Sequence, residues 1–185
     1  MDLELKDKVV IVTGGAKGIG AAIVRLLAGE GAVPVIVDRD GDAGAQLQNE
    51  VRSQGAACDL VTVELANPED CSRAVDQAVK TFGRLDALVN NAGRNDKVGL
   101  EQGNPREYVA SLERNLVHYY SMAHYALPHL KRARGAIVNI GSKHWKMVPN
   151  KIIFPNRGST GRFDKCRPSG VNSSLPSNAP ICRNK

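Results

Sequence analysis

The chain has 185 residues, of which 42% are hydrophobic and 24% are charged, and its formal net charge is +6. This length suits one domain with one hydrophobic core, and the composition excludes a collagen, a coiled coil and a wholly disordered chain. No apolar run approaches the roughly 20 residues that span a bilayer, and the N-terminal residues lack the apolar core of a secretion signal. We therefore expect a cytoplasmic protein without a membrane partner.

Strand and helix patterns alternate along the first three quarters of the chain. Runs rich in β-branched residues predict strands over 8–13, 33–38, 61–65, 85–89 and 136–140, and helical periodicity predicts helices over 18–29, 41–54, 67–82 and 106–133. In the third helix we expect a side-chain cap from Asn67, Pro68 at the first position and acids in the first turn. Right-handed crossovers then give an α/β fold, a doubly wound parallel sheet with Rossmann-type topology.

Charge and proline content change near residue 142. Residues 1–142 hold 16 Lys and Arg against 18 Asp and Glu, whereas residues 143–185 hold 9 Lys and Arg against one acid. Five of the nine prolines also fall in the last 43 residues. We expect a dinucleotide-binding domain over 1–142 and a basic, irregular tail over 143–185. No nucleic-acid motif accompanies the basic residues, so we expect a solvated tail and no specific nucleic-acid partner.

A glycine-rich loop joins the first strand to the first helix. Glycines in Thr13-Gly14-Gly15-Ala16-Lys17-Gly18-Ile19-Gly20 permit a tight turn and let the backbone approach a pyrophosphate. The helix N-terminus adds free N–H groups and partial positive charge. The simpler alternative is a loop whose glycines only form a turn. The predicted cofactor-binding residues of this loop are Thr13, Gly14, Lys17, Gly18, Ile19 and Gly20.

Asp38 closes the second strand, 18 residues after Gly20. A carboxylate at this place would accept hydrogen bonds from the adenosine ribose hydroxyls and repel a 2′-phosphate, which favours NAD over NADP as the cofactor. Arg39 follows directly and could soften that repulsion. The alternative role of Asp38 is that of an ordinary turn or cap residue.

The glycine loop together with Asn90-Asn91-Ala92-Gly93 resembles the short-chain dehydrogenase/reductase family over residues 6–142. The resemblance implies an NAD(P)-dependent oxidoreductase that transfers hydride between a nicotinamide and a secondary alcohol or sugar. It also implies that Asn91, Ala92 and Gly93 line the cofactor pocket. Two segments of the long helix, 111–120 and 122–125, resemble the L-fucose dehydrogenase-type sugar dehydrogenases of this family. Family members commonly form homo-oligomers, which we leave open for this chain.

The same resemblance assigns two catalytic residues. Asn115 matches the catalytic asparagine of the long helix, and Ser142 matches the catalytic serine after the fifth strand. Their alternative roles are local: Asn115 could satisfy a backbone carbonyl, and Ser142 could be a turn residue.

The family also places a Tyr-x-x-x-Lys motif downstream of that serine, and no tyrosine follows Tyr125 in this sequence. A tyrosine, with an ordinary pKa of about 10, acts as a base near neutral pH only when a nearby cation stabilises its phenolate. We therefore expect a C-terminally incomplete version of the family fold that is inactive as it stands. The alternative is a non-catalytic module that binds a dinucleotide or a partner.

Metal ligands are not predicted. The cysteines are widely spread and form no C-x-x-C pair, so the sequence indicates neither a zinc site nor a disulfide framework. Three histidines of the long helix are expected to pack or to lie at the surface: His118, His124 and His129.

Overall fold

The computed structural model describes residues 3–96, 98–101 and 103–141, so the predicted Ser142 and the predicted tail over 143–185 lie outside the described residues. The strands are β1 (Val9–Thr13), β2 (Val33–Asp38), β3 (Asp59–Thr62), β4 (Ala87–Asn90) and β5 (Ala136–Asn139). The helices are α1 (Gly18–Gly29), α2 (Gly41–Ser53), α3 (Pro68–Phe82), α4 (Pro105–Leu112) and α5 (His118–Ala133). None of the helices in this part of the chain is long and apolar enough to cross a bilayer.

The strands form one parallel sheet in the order β3-β2-β1-β4-β5. The chain moves outward from β1 to β3 and then returns, so that β4 pairs with the other side of β1, with Ile11 opposite Leu88. Reversal of the winding direction between β1 and β4 opens a crevice at the carboxyl ends of the strands. The predicted doubly wound fold with Rossmann-type topology is confirmed.

The core consists of two apolar layers, one on each face of the sheet. Alternate residues of β1 point to opposite faces. Ile11 belongs to the layer that packs under α3 and α5, and Val12 belongs to the layer that packs under α1 and α2. Both side chains are fully buried, as a parallel sheet covered on both faces requires.

The first and fifth strands differ from their predicted bounds by one residue, and the third and fourth strands differ by two or more. The third strand was predicted over 61–65, but it pairs only up to Thr62, which lies opposite Asp38 at the end of β2. The fourth strand was predicted from residue 85, but its ladder begins at Ala87. Just before it, the Asp86 carboxylate accepts the Val9 N–H at 3.0 Å and two hydrogen bonds from Arg84, at the amino ends of the strands.

The predicted side-chain cap at Asn67 is wrong. Its side chain accepts no hydrogen bond from the first turn of α3, and its Nδ2 instead lies 3.5 Å from Asp70 Oδ2. The Asn67 backbone carbonyl accepts the N–H groups of Asp70 and Cys71. Pro68 begins the helix and acids occupy its first turn, as predicted.

The long helical segment differs from the single helix predicted over 106–133. It begins with α4, where Asn104 Oδ1 accepts the N–H of Glu107 at 3.0 Å and the Glu107 carboxylate accepts the N–H of Asn104 at 3.2 Å. A π-helical turn over Glu113–Val117 then separates α4 from α5. Turns of this kind are rare and occur frequently at functional sites.

Candidate functional site

The glycine loop between β1 and α1 leaves an open cradle at the start of the helix. A Cβ added to Gly20 would lie 2.1 Å from the Gly14 carbonyl oxygen, so the helix can approach the loop this closely only with glycine there. Gly18 has a φ of +54°, and a Cβ at that position would meet nothing within 4 Å. The first turn of α1 carries no acidic residue. Open space in front of helical N–H groups fits a pyrophosphate.

The cradle is fixed to the sheet by Thr13 and Asn91. The fully buried Thr13 hydroxyl accepts hydrogen bonds from the N–H groups of Asn91 at 2.9 Å and Ala92 at 3.1 Å. Asn91 Nδ2 donates in return to the carbonyl oxygens of Thr13 at 3.0 Å and Gly14 at 3.1 Å. The ends of β1 and β4 are therefore joined by four hydrogen bonds directly behind the loop.

Asp38 lies at the edge of this cradle, at the end of β2. Its Oδ2 accepts the N–H of Ala16 at 3.0 Å, and its Oδ1 accepts the N–H of Asp40 at 3.0 Å. Each carboxylate oxygen has two lone pairs, so Asp38 can still accept hydrogen bonds from a ligand hydroxyl. Asp38 thus has the alternative role considered for it, that of a turn residue. Its carboxylate can still accept hydrogen bonds from a ribose.

Lys17, the last loop residue before α1, forms an ion pair with Asp40. The Lys17 Nζ and Asp40 Oδ2 atoms are 2.5 Å apart. This hydrogen bond raises the pKa of the Lys17 ammonium and lowers that of the Asp40 carboxyl. Asp40 also caps α2, because its Oδ1 accepts the N–H of Ala43 at 3.0 Å. Ile19, by contrast, is 66% exposed in the first turn of α1.

Asn115 lies within the π-helical turn and connects it to the segment after β4. Its Oδ1 accepts the N–H of Arg94 at 2.7 Å, and its Nδ2 donates to the Ser111 carbonyl oxygen at 3.1 Å. A Cβ at Gly93 would lie 3.4 Å from Asn115 Oδ1, which places Gly93 directly beside it. Asn115 therefore does satisfy a backbone carbonyl, which is the alternative role considered for it. The same side chain also lies beside Gly93.

Asp96 is a residue of this region that the sequence did not single out. Its side chain is only 4% exposed, and it lies 2.7 Å from Arg94 Nε and 2.9 Å from Arg114 Nη2. It also accepts a hydrogen bond from Asn115 Nδ2 at 3.2 Å. Burial raises the pKa of the Asp96 carboxyl, but the hydrogen bond from Arg114 and the other contacts outweigh burial and lower it. Asp96 thereby holds the Asn115 amide in place.

His118 packs in the core, as expected. It is 2% exposed, its Nε2 lies 3.1 Å from the Ala92 carbonyl oxygen, and its burial lowers its pKa. Among the described residues, no group of three or more His, Cys, Asp and Glu side chains is placed to hold a metal ion.

The structure thus brings the predicted residues to one edge of the sheet. The carboxyl ends of β1, β2 and β4 carry the loop over 13–20, Asp38 and the Asn91-Ala92-Gly93 segment, respectively. Asn115 accepts a hydrogen bond from Arg94, directly after the last of these segments. Fold and loop together define a protein of the Rossmann type, the class whose crevice accommodates dinucleotides.

Comparison with known proteins identifies the family. The family model described as short chain dehydrogenase matches residues 8–152, and the chain belongs to this family. It is 40% identical over 136 residues to the L-fucose dehydrogenase of Oryctolagus cuniculus, covering 73% of this chain and 46% of that protein. It is 38% identical over 141 residues to a probable galactose dehydrogenase of Rhizobium meliloti, covering 75% of this chain and 55% of that protein.

Two solved structures of dehydrogenases are also similar to this chain in fold and sequence. The crystal structure of Cj0485 dehydrogenase superposes with a TM-score of 0.70 at 40% identity, covering 77% of this chain and 54% of that one. A mutant short-chain dehydrogenase/reductase of Serratia marcescens gives a TM-score of 0.72 at 34% identity, covering 79% of this chain and 60% of that one. The chain therefore spans about half the length of the curated relatives it matches.

Proposed function

We propose that this chain binds NAD at the carboxyl edge of its sheet. We further propose that it belongs to an oxidoreductase that transfers hydride between the nicotinamide and a sugar or secondary alcohol. The observation that carries the proposal is the glycine loop at the N-terminus of α1, which has open space at Gly18 and whose Ala16 N–H is bound by the Asp38 carboxylate. The sugar class rests on similarity to L-fucose dehydrogenases and to a probable galactose dehydrogenase.

The residues of the cradle divide the binding task. The N–H groups at the start of α1 hold the pyrophosphate, and the Asp38 carboxylate accepts the ribose hydroxyls, whose 2′-phosphorylated form it would repel. Asn91, Ala92 and Gly93 form the wall beyond the pyrophosphate, braced by Thr13. When bound, the nicotinamide supplies the hydride acceptor or donor. Ser142 and Asn115 would orient the substrate hydroxyl and the groups around it.

A second candidate is a module that binds the dinucleotide without turnover. It is favoured by one sequence observation, the absence of any tyrosine after Tyr125 and hence of a Tyr-x-x-x-Lys motif. A serine hydroxyl is a poor base near neutral pH without a neighbouring group that accepts its proton. Loss of a general base costs roughly 10²–10⁴ in rate. For the 185-residue chain we therefore expect saturable NAD binding without detectable oxidation of substrate.

Titration calorimetry with the full chain tests the binding proposal. Gly18→Val should abolish the NAD isotherm, since its side chain would occupy the cradle at a φ that valine rarely adopts. Gly55→Val is the matched control: Gly55, just after α2, also has a positive φ, +85°, and a Cβ there also meets nothing within 4 Å, so NAD binding should be retained. A flat titration with the unsubstituted chain would overturn the proposal.

NADH absorbance with L-fucose, galactose and simple secondary alcohols separates the two candidates. Substrate-dependent NADH formation would exclude the non-catalytic module. Saturable binding without NADH formation would instead support it for this chain.

A further inference from the structure

Two cations flank Asp38, and each is already paired with an acid. Lys17 lies 2.5 Å from Asp40, and Arg39 lies 3.7 Å from Glu64. Asp38 itself accepts only backbone N–H groups among the hydrogen bonds described above, from Ala16 and Asp40. Positive side chains that could attract a 2′-phosphate are therefore present beside the ribose-binding acid, but their charge is compensated.

The Lys17–Asp40 pair is the better fixed of the two. Asp40 is held at three points: its backbone N–H donates to Asp38, its Oδ1 caps α2 through Ala43, and its Oδ2 contacts Lys17. An acid fixed in this way loses little side-chain entropy when it forms an ion pair. The Arg39–Glu64 pair is longer, at 3.7 Å, and its acid is 52% exposed against 39% for Asp40, whereas both cations are largely exposed.

We propose that Asp40 is a specificity-determining residue, which disfavours NADP by holding the Lys17 ammonium in an ion pair beside Asp38. This inference rests on the proposed NAD binding and adds to the part played by Asp38. A 2′-phosphate carries between one and two negative charges. In the native site it would meet the carboxylates of Asp38 and Asp40 together. With Asp40 neutralised, one of these charges disappears and Lys17 is released to face the phosphate.

Asp40→Asn tests the inference with little disturbance of the fold, because asparagine caps a helix about as well as aspartate. Dissociation constants for NAD and NADP are measured by calorimetry on the full chain at one low salt concentration. We expect roughly tenfold tighter NADP binding, the effect of one or two charge contacts near 4 Å at a surface, with NAD affinity changed by less than about twofold. Adding Lys17→Ala to Asp40→Asn should remove most of the gain.

Glu50→Gln is the matched control. Glu50 forms a similar exposed ion pair with Arg25, at 2.6 Å between α2 and α1, but the pair lies along the helices and not at their N-termini. The Glu50→Gln substitution should leave the dissociation constants of NAD and NADP unchanged. The gain in Asp40→Asn should shrink as salt rises, since the Debye length falls to roughly 8 Å at 0.15 M.

The outcomes are distinguishable. If the unsubstituted chain binds neither dinucleotide, the proposed function and this inference fail together. If it binds NAD but Asp40→Asn leaves the NADP constant unchanged, the inference alone is overturned. An equal gain in Glu50→Gln would also overturn it, because the effect would then follow net charge and not the site. Circular dichroism melts of all variants verify that each is folded.

Discussion

Replacement of Thr13 by valine should weaken both the fold and the cradle. Valine has nearly the same shape as threonine but lacks the hydroxyl, so the N–H groups of Asn91 and Ala92 lose their acceptor. The weaker contact from the hydroxyl to the Val89 carbonyl oxygen, at 3.4 Å, is lost as well. Thr13 is fully buried, so its hydroxyl lies away from solvent.

The size of the stability loss in Thr13→Val follows from the burial of the two N–H groups that lose their acceptor. A typical net hydrogen bond contributes about 1 kcal/mol, and an orphaned buried group costs about 1–3 kcal/mol. Because Asn91 and Ala92 are half-buried, the lower end of that range applies to each amide. We expect Thr13→Val to lower the free energy of unfolding by about 2–3 kcal/mol and to weaken NAD binding, since Asn91 and the loop lose their common anchor.

Urea unfolding followed by circular dichroism measures the stability change through the midpoint at constant slope. The same substitution at the exposed Thr62 of β3 is the control and should change the free energy by less than about 0.5 kcal/mol. Thr13→Ser, which keeps the hydroxyl, should recover most of the loss. A Thr13→Val protein as stable as the unsubstituted chain, or no more affected than Thr62→Val, would refute the assignment of Thr13 as the brace of the loop.

Three further predictions concern the core, the amino ends of the strands and the cysteines. Leu88→Ala, at a fully buried position held between two paired strands, should cost about 2–5 kcal/mol, whereas Leu26→Ala at a 66% exposed position should cost little in the same urea titration. Burial raises the pKa of the Asp86 carboxyl, but hydrogen bonds from Arg84 and Val9 outweigh it and set the pKa below its ordinary value. The ionised Asp86 therefore stabilises the fold at pH values above its unfolded pKa of about 4, and this stabilisation is lost as pH falls through the lower folded pKa. Asp86→Asn should reduce the fall in urea midpoint between neutral and acidic pH. An unchanged fall would contradict this prediction. Burial raises the pKa of the Cys58 and Cys71 thiols to about 11. Peptide mapping after iodoacetamide treatment at mildly alkaline pH should therefore find both cysteines largely unmodified in the native protein and modified in urea. Rapid labelling of the native protein would disprove their buried placement.

The features that could be predicted from the sequence are those encoded locally. The glycine loop, the strand before it and Asp38 at the end of β2 lie within a stretch of 30 residues, and their placement follows from strand and helix order alone. The doubly wound parallel sheet was predicted from the same alternation of strands and helices, and the structure adds the pairing of β4 with β1.

The features that could not be predicted depend on contacts between distant segments. Asp96 is buried by arginines on both sides, and its partner Arg114 is 18 residues away, so nothing in the local pattern marks it. The π-helical turn over Glu113–Val117 contains neither proline nor glycine, so no residue type in the sequence marks it. Asn67 has the residue type of a helix cap, but its amide faces Asp70, and only the structure reveals that choice.

The polar networks at the two ends of β1 share no residue. At the amino end, the Asp86 carboxylate accepts the Val9 N–H and a hydrogen bond from Arg84. At the carboxyl end, the Thr13 hydroxyl accepts the N–H groups of Asn91 and Ala92. With a rise of about 3.3 Å per residue, these ends are roughly 13 Å apart. Substitutions at such a distance usually add to within about 0.5 kcal/mol. The amino end can therefore accumulate stabilising changes independently while selection or design alters the ligand preference of the other end.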